Sequence, residues 1–360
     1  MSAGETVGLV FGGRSVEHRV SIRSARTVAE ALAVAGFGVH PLGIALDGCW
    51  LDAERSQAAL TGGVETLEPV GGAPRATLSN LLAAPIDVAF PLVHGTWGED
   101  GTLQGLFEIA DLPYVGAGVA TSAIAMDKVQ CKRLLEAVGI QTVDFVAIGR
   151  RRWQEERAAS IARARALGAG ALFVKPAVGG SSVGIRRIAA GDDLGAAIDF
   201  ALRFDDTVLV ERGIDGRELE CAVLGFESLS ASVVGEIRPG NDFYDYADKY
   251  LEDNAGLEAP ARLSEQQSAR IRELAIEAFA AIGGVGMARV DFLLEGEERL
   301  FVNEINTLPG FTDISMYPKL WTLSGLPLSE LVTRLVDIAQ QSHDARRCFN
   351  DGIKSWIENL

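Results

Sequence analysis

The chain has little that would anchor it or bind soft metals. Its four cysteines, Cys49, Cys131, Cys221 and Cys348, stand far apart and form no CxxC or Cys/His pattern, so a zinc site is not expected. No apolar run approaches the roughly 20 residues that a spanning helix needs. The opening MSAGETVGLVFGG lacks a basic stretch followed by a cleavable apolar segment, so the expectation is a cytoplasmic protein that makes no use of a membrane. Basic residues are also in short supply: 33 Lys and Arg face 49 Asp and Glu, a net charge of −16. A general surface for nucleic acid or anionic lipid needs clustered cations, and both are excluded on that ground. A small polyanion remains admissible if a few cations and metal ions meet it locally.

With 360 residues, 48% of them hydrophobic, the chain can bury more than one core, and two or three domains are expected. Its 40 glycines exceed the average share and follow no period, which points to tight turns and close backbone approaches to ligands. TVGLVF, GFGVHPLGIA and PIDVAFPLVHG read as strands alternating with helical segments at 21–35 and 102–110, an open doubly wound α/β unit over residues 1–119. From about Ala120 the stretch TSAIAMDKVQCKRLLEAVGI is helical. After a polar helix at 151–168, the strands ALFVKP, SVGIRRI, TVLVERGI and RELECAVLG suggest a small antiparallel α+β unit. Domain limits are set at 120–214 and 215–341, with a tail at 342–360 that is either a short helix or frayed. Residues 236–258 read as a long loop, and long loops in compact domains are often functional. SEQQSARIRELAIEAFAAIG is a helix entered through Ser264 with Gln267 three residues on.

MARVDFLLEGEERLFVNEIN (287–306) reads as a hairpin around EGEE. The expected register pairs Arg289 with Glu304 and Asp291 with Val302. Alternation then puts Arg289, Asp291, Leu293, Val302, Glu304 and Asn306 on one face, with Phe301 on the other. Hard oxygen donors beside an arginine suit Mg²⁺ bridging phosphates, although a solvated strand face with an ion pair would give the same pattern. The turn NTLPGFTDIS follows, where the Gly310 NH could face an oxyanion.

VKPAVGGSSVGI puts Lys175 at a strand end before a loop of Gly179, Gly180, Ser181, Ser182 and Gly184, whose backbone NH groups can wrap phosphates. A plain flexible hairpin is the alternative. Lys128 in MDK is a second cation candidate or a surface helix lysine, and Glu211 and Glu218 are nucleotide ligands or exposed carboxylates.

In chain order, GGRSVEH (12–18), HGTWGEDGTLQG (94–105), MDK (126–128), KPAVGGSSVGI, the YDYADKY loop and RVDF…NEINTLPGFTDISMYP together resemble the D-alanine:D-alanine ligases of the ATP-grasp superfamily. That resemblance implies an ATP-grasp fold: a Rossmann-like N-terminal domain, a small central α+β domain and a C-terminal α+β domain, with ATP held between the last two. Lys128 and Lys175 look like the phosphate-binding lysines, Glu211 and the Ile214 backbone like the adenine-reading segment, and Glu218 like the ribose ligand. Ser182 and Leu293 fall with the nucleotide contacts. Asp291, Glu304 and Asn306 match ligands for two Mg²⁺ ions, or Mn²⁺. Glu17, networked with Ser181 and Tyr250, is similar to the group that binds the first D-alanine's ammonium, with His94 nearby. Lys249, Ser315 and the Met316 backbone correspond to contacts with the second D-alanine, and Arg289 and the Gly310 NH to oxyanion stabilisers. The resemblance further implies a D-alanyl phosphate intermediate, a homodimer and a part in peptidoglycan precursor synthesis. The Lys249–Tyr250 pair favours D-alanine over D-serine or D-lactate as acceptor. A specialised-metabolism dipeptide ligase and a silent ATP-binding scaffold are the competing readings. Arg19, where the motif often carries an acid, and the tail depart from the family pattern.

Overall fold

Three separate sheets divide the chain, seen in a computed structural model that describes residues 4–238 and 256–358. The first is parallel, in the order β2-β1-β3, with β1 at Thr6–Gly12, β2 at Gly38–Ile44 and β3 at Val88–Pro91. Its β1 is buried from Val7 to Gly12, which is why it reads as a continuous apolar run rather than an alternating one.

The expected helix after Ala120 is two helices, Val119–Met126 and Lys128–Ala137. Asp127 breaks the run: its backbone is extended and its carboxylate caps the second helix through the NH groups of Val129 and Gln130. The polar helix likewise splits into Arg150–Glu155 and Arg157–Arg165.

The second sheet is antiparallel, in the order β4-β7-β5-β6, from β4 (Phe145–Gly149), β5 (Leu172–Pro176), β6 (Arg186–Ile188) and β7 (Thr207–Arg212). Two features differ from expectation. The strand β4 was not anticipated, its short FVAIG run giving little periodic signal. RELECAVLG does not join this sheet. It forms β8 (Arg217–Gly225) of the third sheet, because Leu219, Cys221 and Val223 find their apolar partners there.

The third sheet runs β10-β9-β8-β11-β12, adding β9 (Leu229–Arg238), β10 (Gly256–Glu258), β11 (Gly286–Glu295) and β12 (Arg299–Asn306). One of its faces is covered by the helix Glu265–Ala281, through Ile271, Leu274, Ala278 and Phe279. That helix starts in the expected capping box of Ser264 and Gln267. The last helix runs unbroken from Leu328 to Glu358, well past the expected stop near 341. His343 reaches Asp111 at 3.0 Å and Arg346 reaches Glu108 at 3.3 Å, so the start of the tail is docked on the first unit, and the helix continues exposed from 352 to 358. A shared apolar core joins β1 and β3 to this helix through Val7, Phe90, Leu331 and Leu335.

Candidate active site

The hairpin of β11 and β12 presents the carboxylates. Along β11, Val290, Phe292 and Leu294 are buried against the helix Glu265–Ala281, while Arg289, Asp291 and Leu293 point the other way, as alternation requires. The register differs from the expected one. Asp291 pairs with Glu304 and Arg289 with Asn306, and beyond a β-bulge Phe292 pairs with Val302 and Leu293 with Phe301. Asn303 is the extra residue, opposite no partner of its own. An inserted residue reverses the alternation on its strand. Glu304 and Asn306 therefore keep the polar face, whereas Val302 turns into the core and Phe301 comes opposite Leu293.

Arg289 binds Asp291 in a fork, Nε to Oδ1 and Nη2 to Oδ2, both at 2.7 Å. Its Nε also lies 3.2 Å from Glu220, which stands opposite Asp291 on β8. Burial opposes the guanidinium's charge, but Asp291 and Glu220 outweigh it and hold the pKa well above the usual arginine value. Glu220 was not anticipated, although the Glu-Leu-Glu spacing on β8 puts it on the same face as Glu218. Asp291 and Glu304 are opposed hard donors, and Asn306 Oδ1 accepts the Leu308 NH at 2.9 Å. Among the described residues no group of three or more His, Cys, Asp or Glu is placed to hold a metal. The candidate donors are the carboxylates of Asp291 and Glu304, with the Asn306 amide two residues along the same strand as Glu304. This donor set fits Mg²⁺, which is usually bound through one or two carboxylates with water and substrate phosphates.

A cleft separates this face from the second sheet. Lys128, Lys175, Ser182, Glu211, Ile214, Glu218, Arg289, Asp291, Leu293 and Glu304 all line it, with Gly179, Gly180 and Ser181 at its glycine loop. In that loop Ser181 and Ser182 take φ values of 50° and 58°, a left-handed turn. Lys128 donates to the Gly179 carbonyl at 2.5 Å. The Glu211 carboxylate is buried and shared: Lys175 lies 2.5 Å from one oxygen and Lys132 2.9 Å from the other. Burial would push Glu211 up, but Lys132 and then Lys175 outweigh it and bring its pKa down to about 2. Burial likewise works against Lys175, and Glu211, aided by Glu304 and Glu218, raises it. Lys132 is a second unanticipated residue. Its signal was its place one turn after Lys128 on the same helix.

The first unit meets the glycine loop at Glu17. A Cβ added to Gly180 would stand 3.6 Å from Glu17 Oε2, and one added to Gly95 3.3 Å from the same atom. His94 is buried behind it, bonded to the Leu308 carbonyl at 3.0 Å and to Ser24 at 3.2 Å. Glu99, also unanticipated, lies 3.7 Å from His94. Burial disfavours the imidazolium, but the bond to Glu99 and the field of Glu17 prevail and raise the His94 pKa. Gly310 leaves room for the Ser315 hydroxyl, which accepts the Thr312 NH at 3.0 Å. Ser315 precedes the helix Met316–Leu323, and the Met316 side chain is buried. Lys249 and Tyr250 lie outside the described residues.

Similarity to known proteins extends over most of the chain. The family model described as D-ala D-ala ligase N-terminus matches residues 6–117, and that described as D-ala D-ala ligase C-terminus matches 134–337. D-alanine–D-alanine ligase A of Escherichia coli K12 is 42% identical over 358 residues, covering 94% of this chain and 96% of that one. Its namesake in Chromobacterium violaceum is 45% identical over 348 residues, with 92% and 94% covered. Among solved structures, the D-alanine–D-alanine ligase of Coxiella burnetii superposes with a TM-score of 0.83 at 33% identity, covering 99% of this chain and 100% of that one. The VanG D-Ala:D-Ser ligase of Enterococcus faecalis superposes with a TM-score of 0.80 at 33% identity, covering 93% and 99%. The chain belongs to the D-alanine–D-alanine ligase family of ATP-using enzymes.

Proposed function

We propose that this chain joins two D-alanines to give D-alanyl-D-alanine, ADP and phosphate, supplying a peptidoglycan precursor. The observation that carries the reading is the convergence of two lysines, a glycine loop and two opposed carboxylates on one cleft. ATP sits between the second and third sheets, its phosphates met by Lys128, Lys175 and the NH groups around Ser181 and Ser182. Ile214, Glu211 and Glu218 lie on the adenine and ribose side, with Leu293 beneath. Asp291, Glu304 and Asn306 would hold Mg²⁺, which would neutralise the phosphates' charge.

One carboxylate oxygen of the first D-alanine attacks the γ-phosphorus and ADP departs, leaving D-alanyl phosphate. Glu17, beside the glycine loop, receives that substrate's ammonium, with Ser181 and Tyr250 in the same network and His94 behind. The second D-alanine's amine then attacks the acyl carbon and loses a proton as phosphate leaves. Arg289 and the Gly310 NH face the oxyanion that forms in this step. Ser315, the Met316 NH and Lys249 receive the second carboxylate. Domains at 1–119, 120–214 and 215–341, a homodimer and a cytoplasmic setting complete the reading. No helix among the described residues is long and apolar enough to cross a membrane.

The D-Ala:D-Ser ligase among the similar structures favours a second reading in which the acceptor differs. Single-turnover ADP release with D-alanine alone, and with D-serine or D-lactate added, separates the two. Absence of ADP release with D-alanine alone would sink the first.

A further inference from the structure

The Glu211 carboxylate holds two ammonium groups, and only one of them lines the cleft. Lys175 does, whereas Lys132 is 2% exposed and lies behind the carboxylate. Among the described residues, Lys132 has Glu211 as its one ion-pair partner, at 2.9 Å. A buried lysine devoted to one carboxylate is costly to desolvate and needs a reason.

That reason follows from what ATP must do to Lys175. In the form described here Lys175 is 2.5 Å from Glu211. Phosphate oxygens entering the cleft compete for the same ammonium. Were Lys175 the sole partner of Glu211, each nucleotide bound would strand a buried, uncompensated anion, and the two attractions would oppose one another. With Lys132 fixed on the other oxygen, the anion stays compensated. Lys128 and Lys132 sit one turn apart on one helix, so a single element delivers a cation to the glycine loop and another beneath Glu211.

We propose that Lys132 is a positioning residue, a stationary counter-charge that holds Glu211 compensated and in place while Lys175 leaves it for the nucleotide's phosphates. This rests on the ATP site assigned above.

The test uses the full chain and five forms: wild type, Lys132→Arg, Lys132→Met, Glu211→Gln and the double variant Lys132→Met/Glu211→Gln. Binding of a non-hydrolysable ATP analogue is measured by calorimetry, and KM for ATP and kcat by ADP release. Lys132→Met is expected to weaken analogue binding about tenfold or more, raising KM by a larger factor than it lowers kcat. Lys132→Arg is expected to restore binding to within about threefold of wild type. The double variant is expected to bind better than the product of the two single losses allows, because removing the anion removes the need for its counter-charge. Multiplicative losses in the double variant, or no rescue by arginine, overturn the proposal. If Lys132→Met alone does not fold, folding of the double variant supports charge compensation, and failure of both shows a packing role and overturns it. A wild-type protein that does not bind the analogue defeats the ATP-site reading itself, an outcome distinct from multiplicative losses in a protein that does bind.

Discussion

The two walls of the cleft are built in different ways. Asp291 and Glu304 stand in mid-strand, locked by the ladder of the third sheet, with Asp291 further held by the Arg289 fork. Opposite them, Lys175 stands near the end of β5, followed by the glycine loop with its two non-glycine left-handed residues. The carboxylate wall is thus positioned by backbone, and Lys175 by a charge pair with Glu211 that an incoming phosphate would have to displace. The first arrangement gives fixed geometry, and the second gives exchangeable cations kept in readiness.

If that contrast is right, Asp291→Ala and Glu304→Ala should each lower ADP formation by about a thousandfold, several kcal/mol of transition-state stabilisation, with little change in fold. Retained turnover in single-turnover assays would remove the metal assignment. On the exchangeable wall, Lys175→Met should cost about a hundredfold in kcat/KM for ATP. A loss as large as that of Asp291→Ala would erase the distinction between the walls.

The same pairing has a pH signature. Glu211 is held at about 2, below its ordinary 4.5, so its contribution is complete above 4.5 and is lost as pH falls toward 2. The stability gap between wild type and Glu211→Gln, read by denaturant titration, should narrow by a few kcal/mol across that window. An unchanged gap would show that the lysines do not stabilise the ionised form. The smallest effect is expected far from both walls. Ser264→Ala removes one half of the capping box at the start of the helix behind the third sheet and should cost about 1 kcal/mol in thermal unfolding, with ADP formation unchanged.

Much of the site could be read from residue type and spacing because its parts are local: Lys175 with its glycine loop, Asp291 on an alternating strand, Ser264 with Gln267. What escaped the sequence was set by long-range partners. The expected register was one residue off at the turn, and the bulge at Asn303, which adds no compositional mark, made it two at Asp291 while Glu304 kept its face. Lys132, Glu99 and Glu220 look like ordinary surface charges until the fold buries them against Glu211, His94 and Arg289. Where the final helix passes its expected end, His343 and Arg346 bind Asp111 and Glu108, residues more than two hundred positions away.

The chain enters the lysine-bearing sheet and leaves it beside the same hairpin. On entry, the Val302 NH bonds to the Gln141 carbonyl, and Thr142 bridges Val302. On exit, Gly216 passes so close to the Leu294 carbonyl that a Cβ there would lie 2.3 Å from it, and Arg212 holds Glu295 at 2.8 Å. Both attachments fall on the half of the hairpin beyond Asn303. The chain path into and out of the second sheet is therefore tied to one end of one hairpin. The separation of Lys175 from Asp291 is thus set from both ends of the sheet: by these attachments at the hairpin, and by the Lys128 NH on the Ala177 carbonyl at 3.0 Å, two residues past Lys175.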